Sequence, residues 1–151
     1  MKKIHIIIAL LLAAALLSGC APAGNSEAAL ESASGGSVLT ADNINLKDIS
    51  ISTGTNETVV TLSLLSGSRT AGYTESKLLS LPEYSVEQLS SPERIMITLQ
   101  DISFWDYEEK DSWALSDFLL GLFQEAPAAN DSLVIYLQLS CPATFTVEES
   151  E

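Results

Sequence analysis

Histidine is almost missing from this chain: of 151 residues one is histidine, His5, and 2 are cysteine, Cys20 and Cys141. Zinc sites need several such ligands, so no donor set for one is present. Ser-His, Cys-His and HExxH chemistry would all have to rest on His5 alone. Positive charge is scarce too. Lys plus Arg number 7 against 20 Asp plus Glu, for a formal net charge of −13. Phosphate backbones are held by clustered Lys and Arg, so nucleic acid is not an expected partner. An anionic membrane surface repels such a chain. No metal or other cofactor is implied, and no internal repeat is visible.

What is present is unevenly placed. Lys2 and Lys3 open a short positive segment, and Ile4 to Leu17 is apolar apart from His5. Ser18 and Gly19 then precede Cys20. This is the layout of a secretory signal, with small residues before the cleavage point. The apolar stretch falls short of the roughly 20 residues that a helix needs to cross a bilayer, so a plain transmembrane anchor is the weaker reading.

Leu17-Ser18-Gly19-Cys20 resembles the lipobox of bacterial lipoproteins at all four positions. The resemblance implies that residues 1–19 are a signal peptide cut before Cys20. It implies lipidation of Cys20 through a diacylglyceryl thioether, with acyl chains such as palmitate, and anchoring on the extracytoplasmic face of the cell membrane. Burial of acyl chains is worth about 0.8 kcal/mol per CH₂, and two chains hold stably where one does not. Removal of residues 1–19 would take His5 away and leave Cys141 as the sole thiol beyond the lipidated one.

Residues 20–37 are Ala-, Ser-, Gly- and Glu-rich, with Leu30 the one large apolar side chain. That composition predicts a flexible linker. The domain is expected over 38–147, and 148–151 reads as a solvated acidic tail.

Within the domain most apolar residues alternate with period two, the pattern of half-buried strands. Ile49 and Ile51 form one such set; Val60, Leu62 and Leu64 a second; Tyr84 and Val86 a third. Ile95, Ile97 and Leu99 follow, then Leu133, Ile135, Leu137 and Leu139, with Phe145 and Val147 closing the series. Gly54-Thr55-Asn56 predicts a hairpin and Ser91-Pro92-Glu93 a turn. One segment changes period. Leu115, Phe118, Leu119, Leu122 and Phe123 make a helical stripe, with Ser112 or Asp111 as its cap and Pro127 past its end. The expected fold class is all-β, a small antiparallel β-sandwich with one short inserted α-helix.

The segment from Leu81 to Leu99, LPEYSVEQLSSPERIMITL, resembles the central stretch of the AMIN domain: a Tyr-x-Val strand, then Leu and polar residues, Pro-x-Arg, and a β-branched strand. Weaker agreement covers Ile44 to Leu65 and Ser132 to Val147. The resemblance implies a β-sandwich that binds peptidoglycan and places an enzyme or complex in the cell envelope. Thr98 stands where the family often has Asp, and Gln100-Asp101 where it often has Pro-Gly.

Candidate contact residues are few. Phe104, Trp105, Tyr107 and Trp113 cluster around an acidic run, Asp106 to Asp111. Flat aromatic faces stack on sugar rings or anchor protein partners. Phe104 and Trp113 are expected to pack a helix on a sheet, leaving Trp105 and Tyr107 as candidate binding residues. Arg94 is the third candidate, either paired with Glu93, Glu83 or Asp101 or free for an anionic ligand. The acidic run lacks the glycine and spacing of an EF-hand, so a solvated turn is favoured over a calcium site. Cys141 continues the parity of Leu137 and Leu139 and should be a buried structural thiol. No motif marks a carboxylate pair spaced for hydrolysis, and Lys47, Lys77 and Lys110 lie in no distinctive serine context. No catalytic residue is therefore expected. The expected role is a membrane-tethered, non-catalytic binding module for cell-wall glycan or an envelope complex. The alternative is an accessory or inhibitory lipoprotein that recruits a basic envelope protein.

Overall fold

Aliphatic residues at every second position build strands with one buried face. The computed structural model describes residues 4–11, 31–37, 43–54, 57–108, 118–125 and 132–150. Ten strands occur there: β1 (Ile4–Leu11), β2 (Ser32–Gly35), β3 (Ile44–Thr53), β4 (Glu57–Ser66), β5 (Tyr84–Leu89), β6 (Arg94–Leu99), β7 (Ile102–Trp105), β8 (Leu119–Glu125), β9 (Leu133–Leu139) and β10 (Thr144–Ser150). They form two five-stranded sheets, ordered β10-β1-β4-β3-β7 and β2-β5-β6-β9-β8. Neighbours are antiparallel except β3 and β7, which run parallel. Among the described residues there is no helix, so none is long and apolar enough to cross a membrane.

The expected alternation sets the core. Val60, Leu62 and Leu64 on β4, Ile95, Ile97 and Leu99 on β6, and Leu133, Ile135 and Leu137 on β9 are all 0% exposed. They belong to a single cluster to which both sheets contribute. Each side chain of this kind contributes about 1.5–3 kcal/mol when fully buried. The β3–β4 hairpin closes with Gly54 N–H donating to the Glu57 carbonyl at 2.8 Å. A turn containing Ser91, Pro92 and Glu93 joins β5 to β6, with the Ser91–Pro92 peptide cis. Cys141 is buried, as its parity suggests.

The inserted helix is corrected by β8. Residues 109–117 lie outside the described residues, but Leu119 to Glu125 is strand, paired antiparallel with β9. The register shifts between Leu119 and Gly121. A bulge of this kind adds one residue to a strand, so two inward side chains fall three apart rather than two. Leu119 and Leu122 are both buried at that spacing. Phe118 packs against the core beside them, completing an i, i+1, i+4 pattern that imitates a helical stripe.

Both domain edges also move. Ser32 to Gly35, expected in the linker, is an edge strand on β5. Its small residues give no hydrophobic pattern, and it is held by backbone pairing. Residues 21–30 and Cys20 lie outside the described residues. At the other end β10 continues past Val147 to Ser150, so Glu148, Glu149 and Ser150 of the expected acidic tail are part of a strand. Tyr84 on β5 donates to Glu149 on β10 at 2.8 Å, tying one sheet to the other. Ile4 to Leu11, the core of the expected signal, is the strand between β4 and β10, in register with both.

Candidate functional site

The outward face of the second sheet carries the side chains that do not enter the core. On β6 these include Arg94 and Met96, on β9 Tyr136 and Gln138, and on β8 Phe123. Register places Met96 opposite Tyr136 and Tyr136 opposite Phe123, so one row crosses three strands. The Phe123 and Tyr136 rings stack at 5.1 Å between centroids, with 23° between planes. The Arg94 guanidinium lies over the Tyr136 ring, 4.9 Å from its centroid. Cation–π contacts of this kind are worth about 0.5–1 kcal/mol when exposed. Phe123 is 44% exposed and Leu120, at the start of β8, 53%.

Arg94 thus lies over a ring, and not in the ion pair that was one of its two expected roles. Among the described residues it makes no salt bridge, and its Nε has no hydrogen-bond partner although that atom is out of solvent contact. Glu93 next to it has an equally unpartnered Oε2. In the middle of the row, Tyr136 donates its hydroxyl to Glu125 at 3.1 Å. Burial and that carboxylate together push the Tyr136 phenol above its ordinary pKa. The result is a ladder of a cation and two aromatic rings on a β-sheet face.

Trp105 lies elsewhere, on edge strand β7 of the first sheet, and is 41% exposed. It borders an open hollow of about 250 Å³ with Phe104, Ser68 and Asp106. The Phe104 ring meets that of Tyr73 at 5.4 Å, tilted by 39°. Tyr107, the other aromatic candidate, is half-buried against the core and donates its hydroxyl to Gln124. It is thus a packing residue. Trp113 and Glu109 to Asp111 lie outside the described residues, as do Thr55, Asn56 and Asn130.

Asp106, at the start of the acidic run, is not a solvated turn residue. Asn45, 0% exposed, donates from Nδ2 to Asp106 at 3.0 Å and to the Gly67 carbonyl at 2.9 Å. Its Oδ1 accepts from the Asp106 backbone N–H. Ser68 Oγ lies 2.8 Å from Asp106 Oδ2, and Lys47 Nζ lies 3.6 Å from that oxygen. Lys47 also pairs with Glu75 at 2.7 Å, and Arg69 Nε reaches Glu75 at 3.2 Å. Burial would raise the Asp106 carboxyl, but hydrogen bonds from Ser68 and Asn45 and the Lys47 charge outweigh it and hold its pKa low. The hydrogen bond from Lys47 lowers Glu75 in the same way and raises Lys47 in return. Such mutual satisfaction makes this cluster a brace between β3, β7 and the segment after β4. Among the described residues no group of three His, Cys, Asp or Glu converges as a metal site.

Sequence reasoning singled out Arg94 and Trp105 but missed Tyr136 and Phe123. Period-two parity does put Tyr136 opposite to Leu137 and so outward. Phe123 was hidden by the bulge. The chain matches no family model, no curated protein and no solved structure.

Proposed function

We propose that the chain is a membrane-tethered, extracytoplasmic binding module of the AMIN type, anchored through lipid on Cys20. It engages cell-wall peptidoglycan and acts by holding, without catalysis. The support for this reading is the ladder of Arg94, Tyr136 and Phe123 on one sheet face. Stacked rings offer a flat apolar surface to a sugar, and the guanidinium charge beside them attracts a carboxylate. Wall polymers carry both groups. The acidity of the chain as a whole, 20 acids against 7 bases, makes Arg94 a local exception that selects where an anionic polymer can approach. That same acidity favours the second reading, recruitment of a basic envelope protein by fast, salt-sensitive association.

The test is co-sedimentation with purified wall sacculi across a range of salt. Wild type should be retained. Tyr136→Ala and Arg94→Ala should each weaken retention by about 1–2 kcal/mol, roughly tenfold. Trp105→Ala, on the other sheet, should leave it unchanged. Absence of retention at every salt concentration overturns glycan binding, and loss with Trp105→Ala alone moves the contact to the hollow beside β7.

A further inference from the structure

Strand β1 occupies a place with demanding neighbours. It pairs antiparallel with β4 over Ile4 to Leu11 and with β10 over His5 to Leu11. Among the described residues it is the one strand that joins β10 to the rest of its sheet. The proposed function, on which this inference rests, removes residues 1–19 before Cys20. The processed chain then keeps β4 and β10 but loses the strand between them.

Three contacts hold β10 where it is without β1. Phe145 is buried in the core. Its N–H donates to Glu31 Oε2 at 3.0 Å. Glu149 accepts from Tyr84 at 2.8 Å. Closing the space would require β10 to move by about one strand spacing, roughly 4.8 Å, and would break these contacts. The vacated position therefore stays open, with a row of unpaired backbone donors and acceptors along each side. Unpaired strand edges are templates for another strand.

We propose that this slot is a docking site for an extended segment of a partner protein, which adds itself as the missing strand. The register states what that segment must carry. The rows at positions 4, 6, 8 and 10 contain Leu64, Leu62, Val60 and Thr58 of β4, all buried. Val147 and Phe145 of β10 share two of these rows. The alternate rows contain Glu148 of β10 and Glu57 of β4, both exposed. The fitting donor is thus about eight residues long, free of proline, apolar at alternate positions, and polar or basic between them. It runs antiparallel to both neighbours. Ile4 to Leu11 fills the slot in the precursor, so cleavage of the signal uncovers it.

The test uses the full chain expressed in a bacterium and purified from membranes in detergent. Intact mass first reports whether residues 1–19 are gone and lipid is present. Hydrogen exchange then follows the amides of β4 and β10, alone and with a synthetic peptide of residues 2–11. The processed chain should exchange rapidly along the slot, and the peptide should slow those amides on the order of tenfold or more. The same peptide carrying Ile7→Pro should not. Amides that are already slow in the processed chain, with no response to peptide, overturn the proposal. A dimeric mass with those slow amides means that a second copy fills the slot; a monomeric mass means that the chain closes on itself. Retention of residues 1–19 overturns the anchoring itself, and the mass measurement separates that result from a closed slot.

Discussion

Gly67 stands at φ +85°, the left-handed region, where a Cβ would run into the backbone of Thr74. Its N–H donates to Asn43 O at 2.7 Å and its carbonyl accepts from the buried Asn45. A side chain at this position must break the brace around Asp106. Gly67→Ala should cost about 2–3 kcal/mol, read as a lower midpoint in urea unfolding. Tyr84 supplies a pH-dependent prediction. Burial, then the neighbouring Glu149, push its phenol up to about 12. The unfolded value is about 10, so its stabilising contribution is complete below that pH and is lost as pH rises toward the folded value. Unfolding midpoints of wild type should fall steeply across that alkaline window, and Tyr84→Phe should flatten the decline.

Among elements, β8 separates strand from helix by experiment. Gly121 has open space where a Cβ would be and no positive φ, so a side chain fits. Strands favour Thr over Ala and helices the reverse. Gly121→Thr should therefore raise stability by about 0.5–1 kcal/mol and exceed Gly121→Ala; the opposite order would restore the helix. The same element shows what a sequence displays and what it hides. Strands β4, β6 and β9 were legible because Val60 to Leu64, Ile95 to Leu99 and Leu133 to Leu139 alternate without interruption. The bulge in β8 broke the period, β2 has no large side chain to reveal it, and β7 is a four-residue strand in a parallel pair with β3. Arg94 was visible as a candidate, but its neighbours were not. Tyr136 and Phe123 reach it through pairings of β6 with β9 and β9 with β8, which depend on the packing of the whole sheet.

For the whole molecule, the proposed tether and the charge would act together. A lipid on Cys20 would fix an acidic domain beside an acidic membrane surface, where repulsion keeps its faces turned outward. Cys20→Ala should move the protein from the membrane fraction to the soluble one and abolish labelling by palmitate. A variant that still sediments with membranes would overturn the anchor. The assembly of the first sheet carries a further consequence. His5 pairs with Ser150, so the ladder at the β10 edge of that sheet joins segments distant in sequence. Contacts this distant in sequence close a long loop and form slowly. β10 therefore joins its sheet after the β3–β4 and β5–β6 hairpins, whose partners are close in sequence.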